Sequence, residues 1–107
     1  MYTFLIKKFI FILIRIKFME QAIILGRLAL SAPRDIVKKI KGVSGVTDAN
    51  LILGPYDFYI ILNVKTREML GDAVLQIRSI AGVSETMTCY VITFSDIRPE
   101  ARGANVE

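Results

Sequence analysis

The sequence has no histidine, no tryptophan, one cysteine and three prolines in 107 residues. Without histidine, Ser-His-Asp and Cys-His catalysis both lack their base. A structural zinc site draws on about four Cys or His ligands. One cysteine, Cys89, cannot supply such a set within the chain, so no metal is expected. It also cannot close an intrachain disulfide, and nothing points to an oxidising compartment; the expectation is cytoplasmic. No motif calls for a cofactor. With the usual catalytic groups this scarce, a binding role stands ahead of an enzymatic one.

What is plentiful is apolar: 53% of residues are hydrophobic against 22% charged. That is enough to bury a core, and the length suits one domain. The net charge of +4 resides entirely in residues 1–18, which hold Lys7, Lys8, Arg15 and Lys17 and no acid. From Met19 onward cations and acids balance. A phosphate-binding surface wants clustered cations. The nearest cluster, Lys38, Lys39 and Lys41, reads as the solvated face of a short helix, and no direct contact with nucleic acid is expected.

Residues 1–18 (MYTFLIKKFIFILIRIKF) differ from the rest, with four Phe, five Ile and no Gly, Ala, Pro, Asp or Glu. A spanning helix needs ~20 mostly apolar residues, and a central Lys or Arg costs ~2.5–3.5 kcal/mol. The uncharged run Phe9–Ile14 is shorter than a signal-peptide core of about 7–15 residues, and no small-residue cleavage site follows. Membrane association is therefore not expected, a weak cationic-aromatic surface anchor being the alternative. Phe, Ile, Lys and Tyr share A/T-rich codons. The expectation is that Met19 is the natural start and that residues 1–18 are translated upstream sequence.

Gln21–Leu30 is an apolar run closed by Ser31-Ala32-Pro33, hence a strand. Pro33 suits a helix start, and Ile36, Val37, Ile40 and Val43 follow one helical face before Gly42 and Gly45 stop it. Val46–Leu53 and Phe58–Val64 read as strands joined by Gly54-Pro55-Tyr56-Asp57. Thr66 can cap a second helix, whose buried stripe is Met69, Leu70, Ala73, Val74, Ile77 and Ile80. Gly82 ends that helix, and Thr86–Phe94 is a last strand. Gly45-Val46-Thr47-Asp48 recurs as Gly82-Val83-Ser84-Glu85, each time leaving a helix to enter a strand. The order β-α-β-β-α-β makes an α+β, ferredoxin-like sandwich: an antiparallel sheet with both helices on one face. Residues 19–95 form this domain, and the polar stretch 96–107 is a fraying tail.

Two helices cover one face only, yet two strands are apolar on both. Phe58, Ile60, Leu62 and Val64 oppose Tyr59 and Ile61; Met87, Cys89 and Val91 oppose Tyr90, Ile92 and Phe94. An apolar sheet face left in water predicts a second copy against it, a two-fold dimer of α-β barrel type or a larger assembly.

From about Gln21 to Phe94 the chain resembles the ligand-binding (RAM) domain of the Lrp/AsnC transcription regulators. The stretches that carry the resemblance are Gly45-Val46 leading into Leu53-Gly54-Pro55-Tyr56-Asp57, and Ile80-Ala81-Gly82-Val83 leading into Thr86-Met87-Thr88. They match the family's Gly-x-Tyr-Asp turn and its Gly-Val-x-x-Thr-x-Thr strand entry. Pro55 departs from the pattern and removes an N–H that would otherwise be free to hold a ligand carboxylate. Eighteen preceding residues do not hold the family's helix-turn-helix, so the resemblance is to the stand-alone form. It implies an amino-acid or similar small effector, a homodimer or higher homo-oligomer, and a full-length Lrp/AsnC relative as partner. The implied ligand-binding residues are Gly54, Tyr56, Asp57, Thr86 and Thr88. Asp57 would meet the ammonium; backbone N–H groups near Gly54 and the two threonine hydroxyls would meet the carboxylate.

Plainer readings stand beside these. Gly54 and Asp57 can simply build the turn, Gly through positive φ and Asp through a local side-chain-to-backbone bond. Thr86 and Thr88 are good strand residues, Tyr56 a packing aromatic, and Cys89 a small buried hydrophobe. Gly42-Val43-Ser44-Gly45 has the form of a KH-domain GxxG loop, but that loop joins two helices and here a strand follows. Two other functional classes remain. A ferredoxin-like dimeric enzyme of cofactor-free monooxygenase or isomerase type would need a proton shuttle, for which Asp57 is the obvious candidate. A purely structural dimerisation module would bind no ligand.

Overall fold

A computed structural model of the chain describes residues 5–7 and 19–92. Most of the 1–18 extension, the tail 96–107 and Phe94 lie outside the described residues. The elements are β1 (Glu20–Leu28), α1 (Ile36–Lys41), β2 (Val46–Leu51), β3 (Phe58–Val64), α2 (Arg67–Arg78) and β4 (Val83–Tyr90). The four strands form one sheet in the order β2-β3-β1-β4, each neighbouring pair antiparallel. This is the ferredoxin-like α+β sandwich that the sequence order implies.

Period-2 alternation decides which side chains enter the core. Ala22 and Ile24 of β1, Ala49 of β2, and Phe58, Ile60, Leu62 and Val64 of β3 are buried on one face, against Ile36, Ile40, Leu70, Ala73 and Ile77 of the helices. Fully burying a side chain of the Leu, Ile or Phe class contributes about 1.5–3 kcal/mol. The Phe58 ring lies directly over Gly26 and leaves no room for a Cβ there. α1 has only six residues and no side-chain cap at Asp35, so packing of Ile36 and Ile40 must hold it. α2 is better specified locally: Thr66 Oγ1 accepts the Met69 N–H at 3.2 Å, as expected of a capping threonine.

The repeated Gly-Val-x-acid motif marks two equivalent turns. Gly45 (φ 99°) and Gly82 (φ 105°) are the positive-φ glycines among the described residues. A Cβ on Gly82 would also sit 2.9 Å from the Ala32 Cα. Both backbone conformation and space therefore require glycine there.

Several expectations are corrected. β1 ends at Leu28 rather than Leu30, after a register shift between Arg27 and Leu28. β2 ends at Leu51, and both Leu30 and Leu53 are exposed. β4 begins at Val83, paired with Leu28, and ends at Tyr90. Met69 does not join the buried stripe; it is exposed, because the shallow gap beside it, lined by Ser44, Val64, Asp72 and Gln76, is open to solvent. Cys89 is exposed rather than buried, because it lies opposite Ile23 on the sheet face that the helices do not cover.

Candidate functional site

The β2–β3 connection holds three of the predicted ligand residues, and the structure gives each a different task. Gly54 is exposed, has no positive φ, and an added Cβ would meet nothing within 4 Å. The reading of Gly54 as a φ > 0 turn residue is therefore overturned. Asp57 is half-buried and bonds across the fold rather than within its turn: its Oδ2 accepts the Leu28 N–H at 2.8 Å. Its own N–H donates to the Gly26 carbonyl at 2.7 Å and its carbonyl accepts from Ile52 N–H at 2.9 Å. Asp57 thus fastens the connection to the end of β1, where the register shift leaves the Leu28 N–H needing a partner.

Tyr56 turns onto the uncovered sheet face. Its hydroxyl reaches Met87 Sδ at 3.5 Å, and the Arg27 guanidinium stands 5.4 Å from the ring centroid. Arg27 in turn pairs with Glu85 at 3.2 Å. This face is divided. Toward β2 it is polar, with Tyr59 donating to Asp48 Oδ2 at 2.7 Å and Asn63 donating to Thr47 Oγ1 at 2.9 Å. Toward β1 and β4 it is apolar, formed by Ile23, Leu25, Ile61, Met87 and Cys89.

Thr86 and Thr88 lie on the other side of the sheet. They pair with Gly26 and Ile24, whose neighbours are core residues, and so face α2. Both line an open cleft of ≈ 490 Å³ between α2 and β4, together with Val74, Arg78, Val83, Ser84 and Glu85. The five residues singled out from the sequence are therefore not one cluster in a single chain: Tyr56 and the Asp57 anchor lie at one end of the sheet, the threonines beneath α2. Arg78 and Ser84 are absent from the sequence-derived set. The available signal is spacing: Val74 and Arg78 are i, i+4 on α2, flanking Ile77, on the side that faces the next strand. Among the described residues no helix is long and apolar enough to cross a membrane, and no group of three or more His, Cys, Asp or Glu could hold a metal ion.

No protein-family model matches the chain, and no curated protein matches its sequence. Solved structures do match. TTHA0845 from Thermus thermophilus is 29% identical, with 70% of this chain aligned to 95% of that one at a TM-score of 0.65. E. coli AsnC is 20% identical over 71% of this chain and 52% of its own, TM-score 0.60. The M. tuberculosis feast or famine regulatory protein complexed with L-methionine is 22% identical over 70% of this chain and 52% of its own, TM-score 0.58. The domain thus corresponds to nearly all of the first protein and to about half of the two regulators. The described residues have the fold of the Lrp/AsnC-type ligand-binding domain.

Proposed function

We propose that this chain is a regulatory domain that binds an amino acid or similar small effector, acts through assembly, and is not an enzyme. The carrying observation is its fold, shared with Lrp/AsnC regulators, one of them described as a complex with L-methionine. The apolar half of the uncovered face favours a homodimer: Ile23, Leu25, Ile61, Met87 and Cys89 gain further burial only when a partner covers them, and a second copy presents the same apolar set. The output then runs through larger self-assembly, or through mixed assembly with full-length Lrp/AsnC relatives, in the cytoplasm and without direct contact to nucleic acid. Residues 19–95 carry this role.

Because the candidate ligand residues occupy two sides of the sheet, one small ligand meets all of them only where two copies contribute. One copy lends Tyr56, the remaining oxygen of Asp57 and the Gly54 loop; the other lends Thr86 and Thr88. Ligand occupancy then biases assembly, since a ligand shifts only equilibria whose states it binds differently. An enzyme reading is weakened by Asp57, the obvious proton shuttle, because its Oδ2 already accepts the Leu28 N–H.

A thermal-shift screen of the twenty amino acids, paired with sedimentation velocity, tests the proposal. A ligand at 100 times its Kd stabilises by ~2.7 kcal/mol, roughly 10–20 °C for a domain of this size. No shift with any of the twenty removes the amino-acid reading. Sedimentation as a monomer alone at micromolar concentration removes the dimer.

A further inference from the structure

The α2–β4 cleft is lined by one charged residue of each sign, and among the described residues only the acid has an ion-pair partner. Three hydroxyl-bearing residues, Ser84, Thr86 and Thr88, line it with two charged ones, Arg78 and Glu85. Glu85 is already paired with Arg27 at 3.2 Å. The hydroxyl of Ser84 donates to the Arg27 carbonyl at 3.1 Å. Arg78 has no ion-pair partner among the described residues; the three salt bridges there involve Arg27, Lys39 and Arg67. Its guanidinium is a planar fork of five donors suited to a carboxylate. Thr86 and Thr88 present two further hydroxyls, neither hydrogen-bonded among the described residues, on the same wall. Val74 and Val83 supply the apolar part, and the volume, ≈ 490 Å³, falls in the small-molecule range.

We infer that this cleft is a carboxylate site in which Arg78 is the principal anchor and Thr86 and Thr88 complete the cradle, for a free small molecule of carboxylic-acid class. The inference rests on the ligand-binding reading for its threonines but assigns the charge to a residue on the helix. Arg78 sits in the last turn of α2, where a cation is also favoured by the helix dipole. That role asks only for positive charge, whereas a carboxylate site asks for the fork. Lysine therefore separates the two.

The experiment is an amide-resolved NMR titration of the full chain with L-glutamate, with glutarate (no ammonium) and with L-methioninamide (no carboxylate), on wild type, Arg78→Gln and Arg78→Lys. Expected are saturable shifts of residues 84–88 and the Arg78 side chain with glutamate and glutarate, and none there with the amide. Affinity should fall at least tenfold in Arg78→Gln and by an intermediate factor in Arg78→Lys, with melting unchanged in Arg78→Lys and lowered by only a few degrees in Arg78→Gln as the helix dipole loses its cation. Absence of saturable shifts in the cleft with both acids overturns the inference, as does binding within twofold of wild type in Arg78→Gln. The two readings can fail separately. An amino acid that shifts only residues 54–57 overturns the cleft and keeps the effector-binding reading. Glutarate binding in the cleft while all twenty amino acids fail keeps the cleft and discards the amino-acid effector.

Discussion

Replacing Asp57 separates a structural anchor from a ligand contact. Asp57→Ala removes the acceptor of the Leu28 N–H, a 2.8 Å bond in a half-buried setting. Leaving such a donor unpaired costs about 1–3 kcal/mol. For a domain of this size each kcal/mol moves Tm by roughly 4–8 °C, so a loss of about 5–20 °C is expected. Asp57→Asn keeps an oxygen in place but loses the charge assistance, a difference of about 1 kcal/mol. Its melting should fall between wild type and Asp57→Ala. The readouts are thermal unfolding by circular dichroism and hydrogen exchange of the Leu28 amide, which should accelerate most in Asp57→Ala. An Asp57→Ala protein melting within a degree of wild type, with Leu28 exchange unchanged, would refute the anchoring role. Tenfold loss of effector affinity in Asp57→Asn with intact melting would instead return the residue to the ligand.

Thr66→Ala should cost about 1 kcal/mol by removing the cap on the Met69 N–H, measured by urea denaturation; an unchanged midpoint would contradict the capping geometry. Gly82→Ala should be destabilised by about 2 kcal/mol or more, combining positive φ with a Cβ pressed against Ala32, whereas Gly54→Ala, in open space, should melt as wild type does. Leu25→Asp should convert the proposed dimer to monomer in sedimentation and, in the same samples, speed modification of Cys89 by a thiol reagent; equal reaction rates in a wild type that sediments as a dimer would place the interface elsewhere.

The helices and the strand alternation are legible in the sequence because they are local. Leu70, Ala73 and Ile77 recur with the helical period, Thr66 sits at a cap position, and the two Gly-Val turns repeat in the open. Tyr59 and Ile61 alternate with the buried Phe58, Ile60, Leu62 and Val64, and apolar residues on both sides of one strand point to the uncovered face. Element ends are harder, because Leu30 and Leu53 look like strand continuations until pairing partners run out. Cys89 and Met69 mislead for a related reason: whether an apolar position is covered depends on what packs over it, and nothing among the described residues lies over Cys89's sheet face or the gap beside Met69. The site is least legible. Asp57 reaches a backbone group 29 residues away in sequence, and Arg78 joins Thr86 and Thr88 only after the Gly82 turn folds α2 back over β4.

The central position of β1 has a cost during synthesis. It is the first of the described strands to be made, yet its flanks are closed by β3 and β4, and Ala22 must wait for Tyr90 to find its second partner. Until the last strand emerges, a nascent chain carries Ile23, Ile24 and Leu25 on a strand with one open hydrogen-bonding edge, a ready template for joining other chains. Pairing over such sequence separation is also slow relative to the local β2–β3 hairpin. The interval between translation of β1 and docking of β4 is therefore when the chain is most exposed to association, and truncation anywhere before residue 83 should yield aggregate rather than a smaller soluble domain.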